Sequence, residues 1–156
     1  MLHIPDASAE ELIAEMDRLG VERAIIFSNG GITNDEVYGN GLVAQAVKAH
    51  PERLVGFVTI HLNRPADEVR RVIDEGFARG MQGIKMELLG CPADQAPYHP
   101  NVEVACACAN ERRTLVINHD WGNAERLLHL CHKYPDACFI TGHASASNAA
   151  VTRQAA

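Results

Sequence analysis

Two apolar, β-branched segments of this chain end in the same way, on a histidine: Thr114-Leu-Val-Ile-Asn118-His119-Asp120 and Cys138-Phe-Ile-Thr-Gly142-His143. One helical stretch, Asn123 to Tyr134, lies between them, so they stand a single αβ unit apart. In a parallel sheet this spacing brings both imidazoles to the C-terminal edge of neighbouring strands. Open α/β sheets and (β/α) barrels bind ligands at that edge. Neutral imidazole nitrogen suits Zn, and also Mn, Fe or Ni. A divalent ion there would polarise a carbonyl and lower the pKa of a bound water toward about 7. A histidine off the metal would move protons near neutral pH. The plainer alternative for either residue is a strand end hydrogen-bonded to loop backbone.

Other residues join this set with less specificity. Lys85 is a charge inside an apolar strand, a costly position unless it is paired or at the sheet edge. It is a candidate to hold a substrate carboxylate or to touch a metal, with Glu87 as its partner or as a solvated neighbour. Asn29-Gly30-Gly31 follows a strand and can nest an anion or simply form a turn. Trp121, the only tryptophan, follows His119-Asp120 and is expected to wall a pocket or to pack the loop. His61 falls one residue past its strand and reads as a loop residue. His129 and His132 fit a helix C-terminus. His3, His50 and His99 read as surface residues.

The elements that must position these groups alternate along the chain. Ser8 to Leu19 has helical periodicity, with Ser8 and Glu11 as a capping box and Gly20 as the stop. Arg23 to Ser28 is a short buried strand, broken by Asn29-Gly30-Gly31. Asn34 to His50 is helical and stops at Pro51. Leu54 to Ile60 is a strand, Pro65 to Arg79 a helix, and Gln82 to Leu88 a strand. A loop from Leu89 to His99 leads to Pro100, which suits the first turn of a helix running to Arg112. Strand Thr114 to His119, helix Asn123 to Tyr134 and strand Ala137 to Gly142 follow. Ser145 to Ala156 starts a further helix. Five short apolar strands separated by helices predict a parallel α/β sheet with right-handed crossovers, folded as one domain over residues 1–156.

Composition narrows the function classes. The chain has 156 residues, 47% of them hydrophobic, and a formal net charge of −6. No Lys/Arg cluster suggests a nucleic-acid face, and the acidic balance gives no reason to expect an anionic membrane as partner. No apolar run reaches the roughly 18 residues of a membrane span. The first residues lack the pattern of a signal peptide, so a cytoplasmic location is expected. The five cysteines (Cys91, Cys106, Cys108, Cys131 and Cys138) contain no CxxC pair and read as reduced, mostly buried thiols.

Several stretches, taken in order, resemble the amidohydrolase-related family, often called amidohydrolase 2. They are Ala9-Glu-Glu-Leu12, Leu19-Gly-Val-Glu-Arg-Ala-Ile-Ile26, His50-Pro-Glu-Arg-Leu-Val-Gly-Phe57, Gly80-Met-Gln-Gly-Ile-Lys85, Leu115-Val-Ile-Asn-His119 and Tyr134-Pro-Asp-Ala-Cys-Phe-Ile-Thr-Gly-His143. They cover most of residues 8 to 145. The resemblance implies a metal-dependent (β/α)8 TIM-barrel enzyme, a hydrolase or a non-oxidative decarboxylase of aromatic or muconate-type acids. It makes His119 the metal ligand of the fifth barrel strand. His143 becomes either a second ligand or the catalytic acid/base, and Lys85 takes the fourth-strand position. The family's first-strand His-x-His or Glu-x-His pair and last-strand Asp have no counterpart here. The five strands would be the second to sixth of eight, and a full barrel takes about 250 residues. The chain is therefore expected to be a partial barrel of about five βα units.

Four readings follow. The first is a metal-dependent hydrolase of an amide, ester or lactone, incomplete in this chain. The second is a metal-dependent decarboxylase on the same fold, and the third a non-catalytic partial barrel that only self-associates. The fourth is an unrelated, doubly wound binding module. A small-molecule substrate is the expected ligand. Two histidines fall short of the three protein ligands usual for catalytic zinc, so weak metal binding by the isolated chain is expected. Unpaired outer strands predict homo-oligomers.

Overall fold

A computed structural model describes residues 8–33, 35–87 and 95–142. Helix α1 (Ala9–Leu19) begins where the Ser8 hydroxyl accepts the Glu11 N–H, and it ends at Gly20 in the left-handed region. Then come β1 (Ala24–Ile26), the short α2 (Asn29–Thr33) and α3 (Glu36–Ala49). The Asp35 carboxylate caps α3 by accepting from Val37 and Tyr38. The chain continues through β2 (Leu54–His61), α4 (Ala66–Ala78) and β3 (Gly83–Glu87). A 3-10 turn (Ala96–Tyr98) leads into α5 (Pro100–Glu111), β4 (Leu115–Asn118), α6 (Ala124–Lys133) and β5 (Cys138–Thr141).

Two of these elements differ from the sequence reading. Asn29-Gly30-Gly31 does not simply break the chain: it opens a turn of helix, capped by the Ser28 hydroxyl accepting the Gly31 N–H at 3.1 Å. His61 is not a loop residue. It is the last residue of β2, paired in register with Glu87. The expected helix over 145–156 lies outside the described residues.

The five strands are all parallel and lie in the order β1-β2-β3-β4-β5. This order decides between barrel and doubly wound sheet. A doubly wound sheet reverses its strand order at a switch point and carries helices on both faces. Monotonic order with right-handed crossovers puts every helix on one face and curls the sheet. The result is the wall of a half-barrel, as expected for a TIM-type fold, and the doubly wound reading fails.

Alternation along the strands divides the side chains between the two faces. Leu54, Val58, Ile60, Ile84, Met86 and Val116 turn toward the helices and are buried with Val69, Ile73, Val102 and Ala105. The concave face carries Phe57, Thr59 and His61 of β2 beside Gly83, Lys85 and Glu87 of β3. Glycine is required at Gly83 by close approach, because a Cβ there would run into the Phe57 ring. At the flank of the concave face, Ile25 and Phe27 are exposed.

β1 pairs with β2 only as far as Gly56, and β2 continues for five more residues. Side chains from α3 take over the vacated edge. The Asn40 carboxamide donates to the Thr59 carbonyl at 2.8 Å and accepts the Thr59 N–H at 2.8 Å. Glu36 accepts the His61 N–H at 2.6 Å. This satisfies backbone groups that would otherwise be buried without partners. The α2 and α3 backbones can lie close because Gly31 meets Gly39, where any side chain would clash.

Candidate active site

The C-terminal edge of the sheet gathers a row of polar side chains on the concave face. Lys85 and Glu87 share that face through the two-residue period of β3. The Lys85 Nζ lies 3.4 Å from Glu87 Oε2 and donates to the Met86 carbonyl at 2.6 Å. Glu87 Oε2 in turn lies 3.2 Å from His119 Nε2. Lys85 is 2% exposed and Glu87 8%, while the His119 side chain, at the rim, is 31% exposed. Burial pushes the Lys85 amine below its ordinary value, and the neighbouring Glu87 carboxylate opposes that shift. The Phe27 ring lies over the ammonium at 5.7 Å from its centroid.

His119 is aimed by turns on both sides of it. The Asn118 carboxamide accepts the His119 N–H at 2.9 Å and donates to the Asp120 carbonyl at 2.7 Å. The Asp120 carboxylate accepts the Gly122 N–H at 2.8 Å. Asn and Asp favour such local turns because their side chains bond backbone a residue or two away. These bonds end β4 abruptly and leave the imidazole at the mouth.

A second buried cluster sits at the end of β2. Glu36 is fully buried, forms an ion pair with the Arg64 guanidinium through Arg64 Nε, and lies 3.6 Å from His61 Nδ1. His61 Nε2 is 2.8 Å from the Gly31 carbonyl, and Arg64 also reaches Glu68 at 3.4 Å. The Asn101 side chain donates to the Leu62 and Arg64 carbonyls, fixing the β2–α4 loop. The sequence reading passed over Glu36 and Asn40. They fall with Val43 and Val47 on the buried side of α3, so polar residues in an apolar helical stripe were the available signal.

Of the residues singled out from the sequence, Lys85 and His119 come together through Glu87. Trp121 does not join them. Its indole is 2% exposed, packs edge-on to Phe139 at 5.2 Å between centroids and donates to the Ile140 carbonyl, within the helix-side core. Its large apolar ring is more stable there than at an open rim. Asn29 is exposed at the start of α2, where its carbonyl accepts the Thr33 hydroxyl. His143 lies outside the described residues. Thr141, two residues earlier, is in register with Asn118 on the helix-facing side. Cys106 and Cys108 are buried, and desolvation pushes the Cys106 thiol up to about 12.

The donor chemistry of this edge suits a divalent ion in part. Glu87 and His119 present a carboxylate oxygen and an imidazole nitrogen to each other across 3.2 Å. Among the described residues, no group of three His, Cys, Asp or Glu converges. The pair would fill two positions of a ligand set that for catalytic zinc ordinarily includes three protein groups.

No family model matches the chain, and no curated protein matches it. Solved structures share its fold. An uncharacterised TIM-barrel protein from Bordetella bronchiseptica has a TM-score of 0.62 at 19% identity, over 86% of this chain and 50% of that one. A 2,6-dihydroxybenzoate decarboxylase, solved with 2,6-dihydroxybenzoate, has a TM-score of 0.63 at 16% identity, over 90% of this chain and 56% of that one. A 5-carboxyvanillate decarboxylase from Novosphingobium aromaticivorans, solved with bound manganese, has a TM-score of 0.63 at 20% identity, over 85% and 49%. The chain spans about half the length of these proteins, and what it shares with them is the parallel, helix-backed wall of a TIM barrel.

Proposed function

We propose that this chain, through its strands β1 to β5, forms the wall that runs from the second to the sixth strand of a metal-dependent barrel enzyme of the amidohydrolase type. Its proposed reaction is the non-oxidative decarboxylation of a small aromatic acid. The observation that carries the reading is the Lys85–Glu87–His119 row on the concave, C-terminal edge of the sheet. The named decarboxylases among the fold neighbours support the choice of reaction.

In this reading His119 and Glu87 contribute to holding a divalent ion, and manganese is the first to test. Bound there, the ion would polarise the substrate's oxygen atoms. Lys85 holds the carboxylate to be lost. The bond between ring carbon and carboxylate carbon breaks, its electron pair stays on the ring, and CO2 leaves. The ring carbon then takes a proton, for which His143 is the proposed donor. Buried Phe57 and the Phe27 ring give the aromatic substrate apolar surroundings.

Hydrolysis is the second reading, favoured by the Glu87–His119 contact. A carboxylate bonded to an imidazole orients it as a base for water. In either case the exposed Ile25 and Phe27 beside the short β1 support association through this flank, with a second copy as the proposed partner.

The test supplies the chain with Mn2+ or Zn2+ and offers 2,6-dihydroxybenzoate, 5-carboxyvanillate and an aryl lactone. CO2 release is expected from an aromatic acid, lost by at least about 100-fold in His119→Ala. Lactone opening without CO2 release would move the assignment to hydrolysis. Turnover of neither class with either ion would reject both readings.

A further inference from the structure

Thr59 is fully buried on the concave face, yet its hydroxyl has no hydrogen-bond partner among the described residues. Buried hydroxyls are nearly always bonded, so an orphan calls for a reason. Its backbone does not share the problem, since Asn40 accepts the Thr59 N–H and donates to the Thr59 carbonyl. Asn40 thereby fixes the Thr59 backbone, and the two-residue period of β2 turns its side chain to the concave face.

Across the ladder from Thr59 stands Lys85, its register partner. The two side chains therefore rise side by side from one face of the sheet. Lys85 has three N–H donors, and its bonds run to the Met86 carbonyl and, at a long 3.4 Å, to Glu87. A hydroxyl donor and an ammonium donor thus stand together with unfilled capacity. An oxygen atom bearing negative charge can accept from both at once. A neutral group would satisfy the hydroxyl but would not match the ammonium.

We propose that Thr59 is a specificity-determining residue that, with Lys85, binds one oxygen of a substrate carboxylate. This rests on the reading of the edge as the site for a small acid, and it adds the residue that selects the acid over its neutral analogue. The exposed Phe27 ring is the group that lies over the Lys85 ammonium. Phe27 lies just past the last paired residue of β1, so its ring can leave Lys85 without breaking a ladder hydrogen bond.

The experiment titrates the full chain with benzoate, and with benzamide as the neutral probe, by calorimetry without added metal. Benzoate is expected to bind at least tenfold more tightly than benzamide. Thr59→Val, nearly the same shape, is expected to weaken benzoate at least tenfold, and Thr59→Ser to stay within about threefold of the parent. Thermal melts separate this role from a structural one. Removing an orphaned hydroxyl should leave the melting temperature of Thr59→Val unchanged or raise it, whereas a structural hydroxyl would lower it. Equal binding of benzoate by Thr59→Val and the parent, equal binding of benzoate and benzamide, or no benzoate binding at millimolar concentration would each overturn the proposal. Because no turnover is measured, benzoate selectivity in a chain that releases no CO2 would sink the decarboxylase reading alone.

Discussion

Glu36 and Glu87 are both buried carboxylates near the C-terminal edge of the sheet, and their surroundings differ in kind. Glu36 accepts a main-chain N–H at 2.6 Å and pairs with Arg64, a cation that stays charged at any physiological pH. Glu87 faces a lysine amine, Lys85 at 3.4 Å, and a histidine imidazole, His119 at 3.2 Å. A carboxylate tied to backbone and guanidinium is committed to holding α3 against β2. A carboxylate between an amine and an imidazole, with the imidazole at the rim, can change partners when a ligand arrives. Burial alone therefore does not separate the two carboxylates; the identity of their partners does, and it is the partners of Glu87 that the proposed function uses.

The largest effect that tests this contrast is on stability. Glu36→Ala is expected to cost about 3 kcal/mol, because it leaves the buried His61 N–H without its acceptor and Arg64 with only its longer contact to Glu68. Glu87→Gln, which keeps an oxygen acceptor beside Lys85 and His119, should cost less, about 1 kcal/mol. Urea unfolding of the two variants gives the comparison directly, and the reverse order would dissolve it. Next in size, Asn40→Ala should cost about 2 kcal/mol, since both Thr59 backbone groups lose their partners in a buried place. A loss below about 0.5 kcal/mol would mean that water replaces the carboxamide, and that α3 is no substitute for a strand.

Lys85 gives a subtler, pH-dependent test. Its folded pKa lies below its unfolded one, so the unfolded chain binds more protons between the two values. Stability should therefore rise with pH from the depressed folded value up to about 10.4. Lys85→Met should flatten that rise, and an unchanged slope would place the amine in an ordinary aqueous setting. The smallest effect belongs to a carboxylate outside both clusters. Glu103, joining α5 to α6, is bonded by Lys133 and then Arg126, which hold it down at about 2. Its contribution is present above its unfolded pKa and is lost as pH falls from about 4.3 toward 2. Because Lys133 and Glu103 are partly exposed, Glu103→Gln should cost only about 0.5–1 kcal/mol near pH 7. Acid-limb denaturation curves that coincide for parent and variant would remove this pair from the account.

The architecture was legible because its signals are local. The Ser8 cap, Gly20, Pro51 and Pro100 set element ends to within a residue or two, and the unbroken apolar runs identified parallel strands. What escaped was set by contacts distant in sequence. Arg23 to Ser28 reads as one strand, yet only Ala24–Ile26 pairs, because Glu36 and Asn40 occupy the edge that a longer β1 would have used. His61 looked like loop because the apolar pattern stops at Ile60, but its register with Glu87 extends the strand. The Lys85–His119 pairing was half visible. Periodicity placed both at the strand ends, while the bridging role of Glu87 depends on the register of β3 against β4, which no single segment encodes. Trp121 stayed open between pocket wall and packing, because adjacency to His119 in sequence says nothing about which face of the sheet a post-strand residue turns to; its buried indole packs.

The α3 side chains that complete the upper half of β2 also set how that strand breathes. In an ordinary sheet the amide protons of a strand exchange with solvent when its neighbouring strand detaches. Here the Thr59 and His61 N–H groups are held by Asn40 and Glu36, so their exchange reports the undocking of a helix. They should exchange together with one another and with the first turns of α3, and more readily than the β2 amides that β1 and β3 cover. The mouth of the barrel is thereby coupled to a local opening that leaves the sheet intact.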